Sequence, residues 1–318
     1  MKIVFLETDT LGNDVDLSIF DHFGEVIKYS KSVPDENSDR VKDADIIIVN
    51  KIPMNEETLS KAINLKLICV TGTGTNIIDF EYTNKRDISV ANVKSYSTRS
   101  VVQHTFALFF YLYEKLHYYD HFVKSGEYIK SDIFSRFDMK FNELYEKTWG
   151  IIGLGEIGRG VAEIAKAFGC KIIYYSTSGN NNNQPYEQVD FDTLLSTSDI
   201  ISIHAPLNAN TENLIDDAAF DRMKKSAILL NLGRGPIVNE DALVEALEKN
   251  KIAGAGLDVI KVEPMSKDNP LIRIQDSTKL IITPHIAWAT VEARTRCVKE
   301  VHDNIEAFLR GEERNIVR

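Results

Sequence analysis

The glycine-rich stretch Gly153-Leu154-Gly155-Glu156-Ile157-Gly158 is the feature that most constrains the fold of this chain. It follows an apolar run at Thr148–Ile152, which is typical of a buried strand, and it precedes a segment with helical spacing of apolar residues. A second apolar run, Cys170–Tyr175, completes a strand-helix-strand unit. In such a unit the first glycine permits a tight turn, the second leaves room for a pyrophosphate, and the third lets helix and strand pack closely. The pattern predicts a dinucleotide site at the N-terminus of the helix.

Composition limits the classes of protein that this chain can belong to. Its 318 residues, 43% of them hydrophobic, suffice for one large or two ordinary packed domains. The formal net charge of −10 disfavours nucleic acid and anionic membranes as partners, because both attract a basic face. The three cysteines lie in or beside apolar runs without the close spacing of a metal site, so we expect buried, reduced thiols. The N-terminal apolar run ends at Glu7, too early for a signal peptide or a membrane span, which predicts a cytoplasmic protein.

Strand-like and helix-like segments alternate along the chain, which predicts an α/β fold with a parallel sheet covered on both faces. The further predicted strands are Ile3–Leu6, Asp45–Val49, Lys66–Val70, Ile88–Val93, Asp199–His204, Ala227–Asn231, Ala253–Val259 and Lys279–Ile282. The predicted helices are Leu17–Phe23, Glu56–Ile63, Asp79–Arg86, Arg99–Leu116, Asp216–Met223, Asp241–Lys249 and Thr290–Leu309. The stretch Lys124–Lys147 has no clean period and is interpreted as a surface connection.

Two loop or helix features have more than one interpretation. Small residues at Thr71–Asn76 follow a predicted strand, where ligands enter open α/β sheets, so this loop is either a carboxylate-binding loop or an ordinary glycine-rich turn. His117 and His121 have the spacing of two metal ligands on a helix. Because no third ligand is obviously placed with them, we expect no metal site there.

Three strand ends carry side chains that a buried strand does not need. They are Arg234, Glu263 and His285, and each follows an apolar strand, so all three can meet at one edge of the sheet. A histidine beside a carboxylate serves as a proton donor near neutrality. A fixed guanidinium can hold an α-keto or α-hydroxy carboxylate by two parallel hydrogen bonds. Taken singly, each residue is more often an exposed structural one, but together they indicate hydride transfer.

The order and spacing of these motifs resemble the D-isomer-specific 2-hydroxyacid dehydrogenases over nearly the whole chain. The resemblance is carried by the glycine-rich stretch, Asn231–Gly235, Gly256–Val259 with Glu263-Pro264, and Thr283-Pro284-His285. The segments Thr71–Asn76, Tyr96–Thr98, Gln103–Thr105 and His285–Thr290 look most like the glycerate dehydrogenase, or hydroxypyruvate reductase, branch.

The resemblance implies a Rossmann dinucleotide-binding domain with a doubly wound parallel sheet, at residues 99–288. It also implies a smaller, discontinuous, flavodoxin-like α/β substrate domain at residues 1–98 and 289–318, and an active site in the cleft. Family members are usually homodimers whose contacts come from the Rossmann domains, so the resemblance implies a homodimer here.

The resemblance also assigns roles to individual residues. His285 would be the general acid in reduction, Glu263 would orient it, and Arg234 would bind the substrate. The Thr73-Gly74 backbone would take the substrate carboxylate, and Lys51 is the nearby basic residue to watch. Asp258 would hold the nicotinamide carboxamide, and the remaining cofactor-binding residues would be Gly153, Gly155, Glu156, Ile157, Gly158, Ser176, His204, Ala205, Pro206, Asn231 and Gly233.

The sequence leaves the choice between NAD and NADP open. An NAD site usually has an acid at the end of the second strand, and NADP sites favour an arginine nearby. This chain has Ser176 there, followed by polar, uncharged residues.

The leading functional hypothesis is reduction of hydroxypyruvate or glyoxylate to the D-2-hydroxy acid. Phosphoglycerate dehydrogenase and D-lactate dehydrogenase activities are alternatives within the family, whereas Glu263 argues against formate dehydrogenase, which has glutamine at that place. An alternative from another class is a dinucleotide-sensing binding protein like the related transcriptional corepressors. Turnover of any 2-oxo acid would exclude that as the main function.

Overall fold

The chain forms two compact units in the computed structural model, which describes residues 1–182 and 184–318. The discontinuous unit comprises Met1–Ser97 and Ala289–Arg318, and the continuous unit comprises Thr98–Trp288. The limits inferred from the sequence place residue 98 in the discontinuous part instead. Among the described residues, no helix is both long enough and apolar enough to cross a membrane.

The described residues form thirteen strands and ten α-helices, with short 3-10 helices between them. The strands are β1 (Lys2–Phe5), β2 (Glu25–Lys28), β3 (Ile46–Val49), β4 (Leu67–Val70), β5 (Ser89–Ala91), β6 (Thr148–Ile152), β7 (Lys171–Tyr175), β8 (Glu187–Gln188), β9 (Ile200–Ile203), β10 (Ile228–Asn231), β11 (Gly254–Leu257), β12 (Leu280–Ile282) and β13 (Ile316–Val317). The helices are α1 (Pro34–Val41), α2 (Glu56–Leu59), α3 (Phe80–Lys85), α4 (Thr98–Tyr113), α5 (Leu116–Lys124), α6 (Glu156–Ala167), α7 (Phe191–Thr197), α8 (Asp217–Arg222), α9 (Glu240–Glu248) and α10 (Val291–Leu309).

The discontinuous unit contains a six-stranded sheet in the order β13-β5-β4-β3-β1-β2. Strands β1 to β5 are parallel, and their order in the sheet is the flavodoxin-like one. The two-residue strand β13 pairs antiparallel with β5 at the edge. Helix α10 buries Cys297, Val301 and Ile305, and the side chain of Thr290 caps its N-terminus by accepting from the Ala293 N–H. The last part of the chain therefore completes this unit.

The continuous unit contains a seven-stranded sheet in the order β12-β11-β10-β9-β6-β7-β8. All its strand pairs are parallel. The strand order reverses between β6 and β9, and this is the Rossmann arrangement, in which ligands bind at the reversal outside the carboxyl ends of the strands. Ile201 of β9 lies in one buried apolar cluster and Ile200 in another, so each face of the sheet is covered by its own core.

Several elements differ from the sequence-based prediction. The long helix expected from Arg99 to Leu116 ends at Tyr113, and α5 begins after Lys115, which has a φ of +55°. The prediction missed β2, β8, β13, α1 and α7. Strands β8 and β13 are two residues long, and the sequence of α1 is polar at most positions, so none of these three segments carries a clear hydrophobic period.

Candidate active site

The residues expected to act together follow neighbouring strands of the continuous unit. Because the strands are parallel, their carboxyl ends lie along one edge of the sheet. In sheet order this edge carries Thr283 and His285 after β12, Asp258 and Glu263 after β11, Arg234 after β10, His204 after β9, the glycine-rich loop after β6, and Ser176 after β7.

The structure pairs two of the predicted catalytic residues directly. His285 Nδ1 lies 2.6 Å from Glu263 Oε2, and the two side chains are 27% and 29% exposed. Partial exposure leaves the imidazole accessible to a small molecule, while the carboxylate fixes the direction of the ring.

A buried carboxylate holds the loop that carries Glu263. Glu240 accepts the Lys261 backbone N–H at 2.6 Å through Oε1 and the Asn269 amide N–H at 2.9 Å through Oε2. Within the loop, the Ile260 N–H donates to Glu263 Oε1 at 3.3 Å. These contacts restrict the position from which Glu263 reaches His285.

Asp258 organises the loop around His285. It is 2% exposed, and its two oxygens accept the backbone N–H groups of Ile286 and Ala287, each at 2.9 Å. Its own carbonyl accepts the His285 N–H at 2.8 Å. His285 has a φ of +54°, a region that a non-glycine residue occupies only when its surroundings hold it there. The main chain that follows β11 and β12 therefore fixes the histidine.

Arg234 lies in a tight turn packed against the neighbouring loop. The Asn231 side chain accepts the Gly233 N–H at 3.1 Å and donates to the Arg234 carbonyl at 3.0 Å. A Cβ at Gly235 would lie 2.0 Å from the Ile260 carbonyl. Glycine is required at that position because the Arg234 turn and the Ile260 backbone lie so close.

The glycine-rich loop has the geometry of a phosphate-binding turn. Gly153 has a φ of +89°, and a Cβ there would lie 2.8 Å from the Ala205 nitrogen. A Cβ at Gly158 would lie 2.5 Å from the Gly153 carbonyl oxygen, whereas a Cβ at Gly155 would meet, beyond its two chain neighbours, no atom of the described residues within 4 Å. Glu156 and Ile157 begin α6, whose N-cap Gly155 supplies no side-chain hydrogen bond. Open space therefore lies over backbone N–H groups that favour an anion.

Buried polar atoms near this loop fit a dinucleotide. Both ring nitrogens of His204 are buried without a hydrogen-bond partner, and so is Ser176 Oγ. Burial lowers the pKa of His204 to about 3, so its ring is neutral. Ala205 is buried and Pro206 is exposed, and a Cβ at Gly233 would lie 2.8 Å from the Ala205 carbonyl oxygen. The loops after β6, β9 and β10 are thus closely packed, and the loops after β7 and β9 offer uncommitted polar atoms for a dinucleotide.

The discontinuous unit carries the remaining predicted residues. The hydroxyl of Thr73 donates to the Val93 carbonyl at 2.8 Å, and the Asn92 amide donates to the Thr73 carbonyl at 2.8 Å, which fixes the loop before Gly74. Lys51 is exposed, and its backbone N–H donates to Glu7 Oε2 at 2.8 Å.

Comparison with known proteins identifies the family. The family model described as "D-isomer specific 2-hydroxyacid dehydrogenase, NAD binding domain" matches residues 106–287. The chain belongs to the D-isomer specific 2-hydroxyacid dehydrogenase family. It is therefore a dehydrogenase with an NAD binding domain.

Relatives and solved structures cover the whole of this dehydrogenase. It is 37% identical to a glycerate dehydrogenase of Methylorubrum extorquens over 99% of this chain and 98% of that protein. It is 38% identical to a hydroxypyruvate reductase of Blautia hydrogenotrophica over 100% of this chain and 99% of that protein. The structure of a D-lactate dehydrogenase from Aquifex aeolicus, complexed with NAD and lactic acid, matches with a TM-score of 0.84 and 29% identity over 98% of this chain and 96% of that one.

The sequence did not reveal every residue that shapes the site of this dehydrogenase. Glu240 reads as an ordinary acid in the first turn of a helix, and its contacts to the loop of Glu263 depend on the fold. Ser100 and His104 are one helical turn apart on α4, and this spacing was the available signal that both face the same neighbour.

Proposed function

We propose that this dehydrogenase reduces a small 2-oxo acid, with hydroxypyruvate or glyoxylate as the substrate, to D-glycerate or glycolate. The observation that carries the proposal is the His285–Glu263 pair, 2.6 Å apart, at the same sheet edge as the Arg234 turn. The names of the two relatives, a glycerate dehydrogenase and a hydroxypyruvate reductase, support this choice of substrate.

The catalytic residues have complementary tasks in this proposal. His285 gives its proton to the substrate carbonyl oxygen as that oxygen gains negative charge, and Glu263 orients the imidazole. Arg234 binds the substrate carboxylate and polarises the carbonyl group. The bound nicotinamide cofactor supplies the hydride.

The dinucleotide is held by the edge of the same sheet. Gly153, Gly155 and Gly158, with the backbone of Glu156 and Ile157, bind the pyrophosphate at the N-terminus of α6. Asp258 accepts from the nicotinamide carboxamide. The other proposed contacts come from Ser176, His204, Ala205, Pro206, Asn231 and Gly233.

The loop after β7 favours neither NADH nor NADPH. The sequence from Ser176 to Asn182 contains neither an acid that would bind the ribose 2′-hydroxyl and repel a phosphate, nor an arginine that would attract one. We propose NADH as the cofactor, with NADPH also accepted, because the family model that matches the chain is that of an NAD binding domain.

Substrate selection is assigned to the discontinuous unit. We propose that the Thr73-Gly74 backbone binds the substrate carboxylate and that Lys51 contributes positive charge. A phosphorylated substrate would need additional cations, so phosphoglycerate dehydrogenase activity is the weaker alternative.

A substrate panel tests the proposal. We would measure the loss of NADH and NADPH absorbance with hydroxypyruvate, glyoxylate, pyruvate and 3-phosphohydroxypyruvate. We expect the highest kcat/KM with hydroxypyruvate or glyoxylate. A higher value with pyruvate or the phosphorylated acid would replace the substrate assignment, and binding of NADH without turnover of any acid would favour the dinucleotide-sensing alternative.

We propose that the protein is a homodimer. Apolar side chains are exposed along the segment that joins α4 to β6, which we call the apolar arm: Leu116, Val123, Tyr128, Ile129, Ile133, Phe134, Phe137, Phe141 and Tyr145. Ile129 and Phe134 are 89% and 90% exposed. A contiguous run of this kind indicates a protein interface, and a second copy of this chain is the partner that we propose.

A further inference from the structure

Helix α4 places two side chains on the loop that carries His285. The Ser100 hydroxyl donates to the Ala287 carbonyl at 2.5 Å, and His104 Nε2 lies 2.9 Å from the Thr283 hydroxyl. These residues are four positions apart, so they share one face of the helix. Helix α4 therefore contacts both Thr283 and Ala287, on the two sides of His285 in the loop.

The hydrogen bonds between His104, Thr283 and Asp258 have a defined direction. A carboxylate only accepts hydrogen bonds, so the Thr283 hydroxyl, 2.6 Å from Asp258 Oδ1, must donate to it. The hydroxyl oxygen then accepts from His104, whose proton is therefore on Nε2. The three groups form a relay in which His104 donates to the Thr283 hydroxyl and that hydroxyl donates to the Asp258 carboxylate.

The charge state of His104 agrees with this relay. Burial lowers the pKa of His104 and outweighs the opposite effect of Asp258, whose Oδ1 lies 3.5 Å from Nε2. The ring is consequently neutral near pH 7, and its single proton lies on Nε2, where it donates to Thr283.

The relay controls a carboxylate that has several tasks. Asp258 Oδ1 accepts from Thr283 and from the Ile286 N–H, while Oδ2 accepts from the Ala287 N–H. The carboxylate can keep all three bonds in one orientation only. That orientation also decides where the remaining lone pair of Oδ2 points.

We propose that His104 is a positioning residue of the dehydrogenase, which acts through the Thr283 hydroxyl to direct the Asp258 carboxylate toward the nicotinamide carboxamide. The inference rests on the proposed function in one respect, the role of Asp258 as the acceptor of that carboxamide. Without the His104 donor, the Thr283 hydroxyl can adopt other orientations. The Asp258 carboxylate then loses one of the three hydrogen bonds that fix its orientation.

Two ligands separate this role from a general structural one. NADH contains the carboxamide, whereas ADP-ribose contains the same adenosine and pyrophosphate without the nicotinamide. For His104→Leu we expect the Kd for NADH to rise about tenfold, which is a loss of about 1.4 kcal/mol of binding free energy. The Kd for ADP-ribose should stay unchanged. Both constants would be measured by calorimetric titration of the full-length protein.

Further variants test the relay itself. His104→Gln restores an N–H donor of similar reach, so it should recover most of the affinity for NADH. Thr283→Val keeps the side-chain volume and removes the hydroxyl, so it should raise the Kd for NADH as His104→Leu does, and it serves if His104→Leu does not fold. The double variant should be no worse than the worse single one, because both changes interrupt the same relay.

The matched control is Thr105→Val. Thr105 is buried next to His104, but its hydroxyl donates within the helix to the Val101 carbonyl at 2.8 Å, so its loss should leave the NADH to ADP-ribose ratio unchanged. Equal changes for NADH and ADP-ribose, unchanged NADH binding, or additive effects of the two single variants would overturn the inference. Since no 2-oxo acid is used, a failure of the proposed substrate leaves this test intact.

Discussion

The His285 imidazole is the group whose loss should affect catalysis most. We expect His285→Ala to lower kcat by about 10²- to 10⁴-fold, because proton transfer acts in the transition state, and to change the Kd for NADH little. Steady-state kinetics with the best 2-oxo acid, together with titration of NADH, would measure both effects.

A second histidine provides the control for this substitution. His117 is exposed on α5, where its ring stacks on His121, so His117→Ala should retain the kcat of the natural sequence. An unchanged kcat in His285→Ala would refute the role of His285 as the proton donor.

The His204 ring, whose two nitrogens are buried, should make the stability of the protein sensitive to acid. Its pKa falls from 6.5 to about 3 on burial, so between these pH values the unfolded chain binds a proton that the folded chain does not. The contribution of the neutral His204 ring to the free energy of unfolding is complete above pH 6.5. It is lost as the pH falls toward 3, at up to about 1.4 kcal/mol per pH unit. Urea unfolding would measure the free energy of unfolding at about pH 7 and about pH 5. Its fall between these two pH values should be smaller for His204→Gln than for the natural sequence. The same pH dependence in both proteins would contradict this assignment.

The glycines of the β6–α6 loop should separate effects on stability from effects on NADH binding. Gly158→Ala places a Cβ 2.5 Å from the Gly153 carbonyl oxygen, so we expect it to lower the free energy of unfolding by about 1–3 kcal/mol. The methyl group of Gly155→Ala would meet no atom of the described part of the chain within 4 Å beyond its two neighbours, so stability should stay almost unchanged. The same methyl group should obstruct the pyrophosphate and weaken NADH binding.

Thermal or urea unfolding and NADH titration of both variants would measure these effects. If Gly155→Ala proved as destabilising as Gly158→Ala, the open space described over α6 would be wrong.

Apolar elements were predictable from the sequence, whereas polar elements and two-residue strands were not. Strands such as β3, β4 and β9 are buried at every residue, so they appear as continuous apolar runs. Strands β8 and β13 are defined by the neighbour with which they pair, and α1 has a polar sequence. The end of α4 depends on the left-handed backbone at Lys115, for which the apolar period gives no sign.

The candidate site was predictable where a motif marked it. His285 and Glu263 belong to strand-end motifs, and the structure brings them together. The contacts of His104 and Glu240 join residues 179 and 21 positions apart, respectively, so the sequence alone gave no reason to connect them. The roles of all these residues in catalysis stay predictions.

The apolar arm predicts that the protein is a dimer. Phe134→Glu combined with Phe137→Glu places charge on side chains that are 90% and 76% exposed, so it should convert the proposed dimer to a monomer without loss of folding. Sedimentation velocity would measure the mass, and circular dichroism would check the fold.

The control is Lys85→Glu on α3, which changes an exposed charge outside the apolar arm and should leave the mass unchanged. A fully buried residue such as Phe20 would not serve, because Phe20→Glu would disturb the fold. A natural sequence that sediments as a monomer would contradict the proposal.

The division of the first unit between the two ends of the chain sets an order for its synthesis. As the protein leaves the ribosome, residues 1–97 emerge first, yet α10 and β13 follow only after the whole of Thr98–Trp288. During that interval Asn92 lacks the Asn304 side chain that donates to its carbonyl, and β5 lacks its antiparallel neighbour. The continuous unit contains both of its own apolar cores and is fully synthesised earlier. The middle of the nascent chain can therefore fold before the discontinuous unit, to which the N-terminal residues belong, is complete.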